Sequence, residues 1–93
     1  MSRRTPIEEA RNLGPITVAE FSTLGVVDLE QIKEVGWEDF CIKYVEFFPE
    51  RLNLNAFYAV IGAIYDQDWR EIDSDLKLQA QKLQKRLKGW VGR

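Results

Sequence analysis

Hydrophobic residues recur at helical spacing along most of the chain. In residues 37–48 they form one stripe, with members three or four positions apart: Trp37, Phe40, Cys41, Tyr44, Val45 and Phe48. Residues 56–65 are apolar at every position except Gly62, which predicts a central helix buried on all sides. A third stripe predicts an amphipathic C-terminal helix: Leu76, Ala80, Leu83 and Leu87. The pattern therefore predicts an all-α fold.

Capping residues divide this pattern into six predicted helices. Thr5 with Glu8, and Asp28 with Gln31, have the spacing of capping boxes, in which side chains satisfy the free N–H groups of a helix start. Pro49 is expected to end the helix that precedes it, because proline cannot continue a helix. The predicted helices cover residues 6–11, 15–24, 28–36, 37–48, 53–65 and 73–88.

The turns between these helices complete the predicted architecture. Gly25 is expected to end the second helix, because glycine tolerates the left-handed backbone of that position. Val27 is placed to pack on Ile32 as a hydrophobic staple. Residues 66–72 are a connection with room for one helical turn. Since no linker rich in Pro, Gly or Ser interrupts the chain, we expect a single domain over residues 1–93, with five or six short helices.

The composition excludes several classes of function. Without histidine, the 93-residue chain has no Ser-His-Asp triad, no Cys-His dyad and no histidine-ligated zinc site. Its one cysteine, Cys41, cannot close an internal disulfide, which favours a reducing compartment and a cytoplasmic location. No apolar run reaches the ~18 residues of a membrane span. We therefore expect no enzyme activity, no cofactor, no metal and no membrane partner.

Two further candidate sites are rejected on their residues. If Asp66 is counted as the first ligand of a calcium loop, Arg70 and Glu71 stand where an oxygen ligand and a glycine are required. This acidic segment is therefore interpreted as helix caps and a solvated loop. Cys41 lies on the apolar stripe between Trp37 and Tyr44, which predicts a buried structural cysteine and not a nucleophile.

Charge is distributed unevenly along the chain. Residues 1–75 carry 7 basic and 15 acidic side chains, whereas residues 76–93 carry 6 basic side chains and no acidic one. A basic C-terminal helix is suited to contact nucleic acid or an anionic partner. The same cations also complement the helix dipole and an acidic protein body. The calculated isoelectric point of about 5.1 disfavours DNA as the main partner.

The segment from Asn12 to Val18 is similar to a helix-hairpin-helix loop, which reads Gly-apolar-Gly-Pro-Lys-Thr-Ala. In that motif the backbone approaches a DNA phosphate, and amides at the next helix start hold the anion. Gly14 and Thr17 match. Asn12 replaces the first glycine and, as an asparagine, can still adopt its left-handed backbone. Gly36 holds the equivalent place in a second hairpin. The resemblance implies a helix-hairpin-helix (SAM-like) bundle. It also implies weak, sequence-independent DNA binding by these four residues.

A longer pattern resembles the TfoX C-terminal domain. It covers about residues 12–88, and its most specific pieces are the stretch 52–63 (Leu-Asn-Leu-Asn-Ala-Phe-Tyr-Ala-Val-Ile-Gly-Ala) and the segment 68–72 around Trp69. The resemblance implies an all-α, helix-hairpin-helix-like fold. The family comprises bacterial regulators of competence for DNA transformation, in which this domain follows a separate N-terminal domain. It supplies no catalytic residues to transfer.

These observations favour a non-enzymatic regulatory module that acts by protein–protein contact. The expected partner is another protein or a second copy of the chain, and weak DNA binding is the alternative. Phe47 is expected to point away from the stripe of its helix, and Trp90 follows the basic residues of the last helix. The proposed partner contacts are Phe47, Lys82, Lys85, Arg86 and Trp90. For Trp90, folding back onto the core is an equal alternative.

Overall fold

The computed structural model describes residues 5–91, without the side chains of residues 90 and 91. In that part of the chain it has five α-helices, three 3₁₀ turns and no β-strand. The helices are α1 (Pro15–Thr23), α2 (Leu29–Val35), α3 (Trp37–Phe47), α4 (Leu54–Tyr65) and α5 (Ser74–Val91). The 3₁₀ turns cover Ile7–Glu9, Pro49–Arg51 and Trp69–Glu71. The predicted all-α class is confirmed.

The helix ends follow the predicted local chemistry. Helix α1 is terminated by Gly25, which follows the C-cap residue Leu24 and has a φ of +85°. The N–H groups of Gly25 and Val26 donate to the carbonyls of Ser22 and Phe21. This pair of bonds is a Schellman motif, which satisfies carbonyls that the helix itself leaves free. The capping box before α2 is also confirmed, because the Asp28 side chain accepts from the Gln31 N–H.

The predicted first helix over residues 6–11 is wrong. Only the 3₁₀ turn Ile7–Glu9 forms there. The capping box at Thr5 is also absent, since the Thr5 N–H donates to a carboxylate oxygen of Glu30 at 2.6 Å. The segment is held to the start of α2 by backbone hydrogen bonds, among them the one from the Leu29 N–H to the Thr5 carbonyl at 2.8 Å. Long-range pairing has therefore replaced local helix formation.

Two smaller predictions also need correction. Val27 does not act as a hydrophobic staple on Ile32, because it is 61% exposed while Ile32 is fully buried. Its N–H is tied instead to the Gln31 side chain, at 2.7 Å. Helix α5 continues past the predicted end at residue 88, to Val91. Gly89 does not interrupt it.

The core is centred on α4, but the prediction that this helix is buried on all sides is wrong, because Tyr65 is 51% exposed and Tyr58 and Ala59 are only partly buried. Helix α4 contacts α2, α3, α5 and the turn Trp69–Glu71. Beside it, the rings of Phe40 and Tyr44 meet the Phe21 ring edge to face, at centroid distances of 4.8 and 5.0 Å. Aromatic pairs in this geometry contribute roughly 0.5–1.5 kcal/mol beyond their burial. The Cys41 thiol is also fully buried, as predicted, and burial raises its pKa above the ordinary value.

Among the helices of residues 5–91, none combines the length and the apolar character that crossing a bilayer requires.

Candidate functional site

The first predicted phosphate contact, Asn12, is engaged inside the protein. Its φ of +72° lies in the left-handed region, as its alignment with a glycine predicted. Its carboxamide, however, donates to the Gln67 carbonyl at 2.8 Å and accepts from the Trp69 N–H at 3.2 Å. Asn12 therefore fastens the first hairpin to the loop after α4. This role explains why a side chain stands where the motif has glycine.

Gly62 makes room for this fastening. A Cβ atom at position 62 would overlap the Asn12 side-chain nitrogen and the Gln67 carbonyl oxygen. The Gly62 carbonyl also accepts from the Gln67 N–H at 2.8 Å, which holds the loop in place. The one non-apolar position in the stretch 56–65 is thus a packing requirement of the loop.

Gly14 and Thr17 both lie at the start of α1. Gly14 is the exposed N-cap of α1, with an extended backbone and no side-chain cap. Thr17 is half-buried and lines a cleft between α1 and the start of α4, with a volume of about 230 Å³. The loop amides at the start of α1 thus remain open on a protein surface.

The second hairpin loop has an acidic rather than a basic surrounding. Gly36 has a φ of +92°, which joins α2 directly to α3. Glu38 and Asp39 fill the first turn of α3, beside Gly36 in the same surface depression. Carboxylates stabilise a helix N-terminus but repel a phosphate. The geometry that the sequence predicted is present, whereas its electrostatics oppose a phosphate.

Glu20 and Arg51 form a pair at the α1–α4 cleft that the sequence analysis did not identify. The Arg51 guanidinium donates to both carboxylate oxygens of Glu20, at 2.9 Å from Nε to Oε1 and 2.9 Å from Nη2 to Oε2. The buried Tyr44 hydroxyl donates to Glu20 Oε1 at 2.5 Å. Tyr44 and Arg51 are 24 and 31 positions from Glu20 along the chain, so no local spacing pattern joins the three residues.

These hydrogen bonds shift two pKa values in opposite directions. The Arg51 guanidinium, assisted by the Tyr44 hydroxyl, holds the pKa of the Glu20 carboxyl below its ordinary value of 4.5. Burial, followed by the contact with Glu20, raises the pKa of the Tyr44 phenol. Both shifts favour a charged Glu20 beside a neutral phenol. We refer to the hydrogen bonds of Asn12 and Glu20 together as the closed contacts, because their polar atoms are matched within the chain.

A groove between α3 and α5 presents charges in a different arrangement. One side, the acidic wall, carries Glu38 and Glu46 of α3, which are eight residues apart and share a helix face. The other side, the basic wall, carries Lys82 and Arg86 of α5. The groove contains two clefts, of about 290 and 310 Å³, which share Arg86.

The floor of the groove is apolar, and the charged side chains on its two walls form no ion pairs with each other. Leu83 and Leu87 of α5 line the floor, and Ile42 lies between the two carboxylates of the acidic wall. Among residues 5–91, no ion pair joins the acidic wall to the basic wall. All four charged side chains are exposed. The groove therefore offers two rows of opposite charge, separated by an apolar strip.

The predicted partner contacts fall into three groups. Arg86 and Lys82 form the basic wall, whereas Lys85 is exposed and lines neither cleft. Phe47 directly follows Glu46 along α3 and is 61% exposed, as its position off the main stripe predicted. The side chain of Trp90 lies outside the described part of the chain. The sequence analysis missed the acidic wall, although the four-residue spacing of Glu38, Ile42 and Glu46 marks one helix face.

The acidic segment after α4 has the capping role that the sequence predicted. Asp68 accepts from the Arg70 N–H at 2.9 Å and pairs with the Arg70 guanidinium at 3.0 Å, which lowers its pKa to about 2. Asp66 ends α4 with a left-handed backbone. Within residues 5–91, no three Cys, Asp or Glu side chains are grouped as metal ligands would be.

The chain matches no protein-family model, no curated protein and no solved structure. The likeness to the TfoX C-terminal domain accordingly remains a prediction from the residues that carry it.

Proposed function

We propose that this chain is a non-enzymatic interaction module of the TfoX C-terminal type, which acts in the cytoplasm by docking onto protein through the α3–α5 groove. The observation that supports the proposal is the groove itself, with an exposed acidic wall, an exposed basic wall and no ion pair between them. A regulatory role is what the family resemblance adds.

The groove combines the features that protein interfaces use. Opposed rows of charge steer a partner and fix its orientation, and the partly buried Ile42 adds an apolar contact between the two carboxylates of the acidic wall. Phe47 of α3 is 61% exposed and lines neither cleft of the groove. Aromatic side chains of this kind are common anchors in interfaces, because they bury a large area with few rotatable bonds. We therefore assign Phe47 the role of a second partner contact, outside the groove.

The proposal is tested by protein capture with matched variants. The immobilised chain is exposed to a cell extract that also contains an untagged second copy, and retained proteins are quantified by mass spectrometry. We expect the wild type to retain a protein that Arg86→Glu and Phe47→Ser lose. Lys85→Glu is the control, since it makes the same charge change one residue away and outside the groove. Retention of nothing, or equal loss with Lys85→Glu, would contradict the proposal.

Weak DNA binding is the alternative, and the first hairpin favours it. Asn12 has the left-handed backbone of the motif, and Gly14 starts α1 without a side-chain cap, so amides remain for a phosphate. Binding of this kind would weaken steeply with salt, because it depends on counterion release. A fluorescence anisotropy titration at low salt tests it with duplex DNA. Binding that is lost in Gly14→Asp but kept in Arg86→Glu would select this alternative over the groove.

A further inference from the structure

We propose that the occupant of the groove is a second copy of this chain, related to the first by a two-fold axis that runs along the groove. The proposal rests on the function proposed above and names its partner. It follows from the arrangement of charge on the two walls.

The two walls carry opposite charges, so the groove of one copy can pair with the groove of a second copy. When two copies meet face to face about an axis parallel to the groove, left and right are exchanged. The acidic wall of each copy then lies over the basic wall of the other, and the two contacts are equivalent, as a two-fold interface requires. An axis across the groove would instead place like charges together. The charge pattern therefore selects one orientation.

The clefts also bring each acidic side chain near a basic one. Glu38 lines the same cleft as Lys82, and Glu46 lines the same cleft as Arg86, which borders both clefts. Rotation about the groove axis keeps each residue's position along the groove. It therefore brings Glu38 towards Lys82 of the partner subunit and Glu46 towards Arg86 of the partner subunit. The interface is then formed by two equivalent sets of opposite charges.

A second copy places opposite charges against both walls, whereas a partner that carries only one sign of charge is attracted to one wall and repelled by the other. A nucleic acid laid in the groove would contact the basic wall but meet the carboxylates of Glu38 and Glu46. An acidic peptide would meet the same repulsion, and a basic one would be repelled by Arg86. Since mismatched charge is the main means of excluding a wrong partner, the groove discriminates against all three.

Sedimentation equilibrium with charge-reversed chains tests the proposal. The first variant, Lys82→Glu with Arg86→Glu, makes both walls acidic, and the second, Glu38→Lys with Glu46→Lys, makes both basic. All four positions are exposed, and circular dichroism checks that each variant folds. We expect the wild type to dimerise and each variant alone to associate at least tenfold more weakly. An equimolar mixture is expected to recover dimers within about threefold of the wild-type affinity, because every wall again faces its opposite.

A variant with the same change in net charge outside the groove serves as the control. Lys85→Glu with Lys88→Glu alters the charge by the same amount as the first variant, at exposed positions outside both clefts. It should dimerise as the wild type does. A wild type that is monomeric up to about 500 μM, well above the micromolar weak end of standard interfaces, overturns the proposal. So does a dimer that the reversals leave intact, or a mixture that fails to recover. If a different protein is captured through the groove while the chain stays monomeric, the proposed function survives and this inference fails.

Discussion

The closed contacts and the α3–α5 groove use similar polar groups in opposite ways. At the closed contacts, Glu20 receives three donors from Arg51 and Tyr44, and both atoms of the Asn12 carboxamide are bonded. In the groove, Glu46 and Arg86 line the same cleft without an ion pair between them. A polar group that already has its hydrogen-bond partners within the chain contributes to folding and offers little to another molecule. The charged side chains of the two walls have no ion-pair partner across the groove, so they contribute little to folding and are available to bind a partner.

The largest effect on stability is expected from adding one methyl group at the closed contacts. In Gly62→Ala, the new Cβ overlaps the Asn12 side chain and the Gln67 carbonyl, so the loop must move. We expect a loss of about 2–3 kcal/mol in the free energy of unfolding, as for other overpacked sites. Urea denaturation measures it.

Gly89→Ala in α5 is the matched control for this change. No atom outside its own neighbourhood lies within 4 Å of the added Cβ, and alanine favours a helix. A gain of up to about 1 kcal/mol is therefore expected. If both substitutions raise the stability, the closed contacts are not as tightly packed as the structure indicates.

Neutralising one glutamate in each region compares the two directly. In Glu20→Gln, the buried Tyr44 hydroxyl and the Arg51 guanidinium lose a charged acceptor. We expect this change to cost about 2 kcal/mol, because hydrogen bonds to charged groups contribute more than neutral ones. Glu46→Gln should change the stability by less than about 0.5 kcal/mol, since it is an exposed surface substitution. Equal losses, measured by the same urea titrations, would remove the distinction between the regions.

The pH dependence of stability should carry the signature of Glu20. Its pKa in the folded protein is below 4.5, chiefly because of Arg51, so the unfolded state takes up the proton first as the solution is acidified. The stabilisation is present at neutral pH and is lost as the pH falls below about 4.5 towards the folded-state pKa. Glu20→Gln should therefore unfold with a shallower pH dependence between about pH 5 and 3. Thermal melts across this range measure the slope, and a slope identical to the wild type would be inconsistent with the pairing.

Salt should change the stability of the chain little and its self-association more. Raising the ionic strength to about 1 M shortens the Debye length to about 3 Å, which screens exposed charges more than partly buried ones. We expect dimerisation to weaken by roughly tenfold, while the unfolding free energy of the dilute chain changes by less than about 1 kcal/mol. Self-association that strengthens with salt would indicate an apolar interface instead of the charged walls.

Local chemistry in the sequence predicted the helices well, and long-range pairing explains what it did not predict. Gly25 and the Asp28–Gln31 box end and start helices through bonds to residues within a few positions, so their spacing is readable. Thr5 has the same local signal, yet its N–H donates to Glu30, 25 residues away. The Glu20–Arg51 pair was missed for the same reason, because 31 residues separate its members.

The sequence predicted the basic wall of the groove but not the acidic wall. The run of cations after residue 76 identified the basic wall, since net charge is visible in the sequence. The acidic wall was not recognised, because fifteen acidic residues precede that run and only folding selects Glu38 and Glu46 from them. Asn12 was placed correctly in the left-handed region, but its bonds to Gln67 and Trp69 depend on a loop more than 50 residues later.

Thiol cross-linking between two variants tests the central claim most directly. A chain with Lys82→Cys is mixed with one carrying Glu38→Cys, and a short bismaleimide joins thiols that lie close together. Cys41 does not interfere, because it is fully buried and burial raises its pKa. Two chains joined through positions 38 and 82 are predicted, with little joining of position 82 to position 82. Cross-links between identical positions at an equal rate, or none at all, would contradict the account.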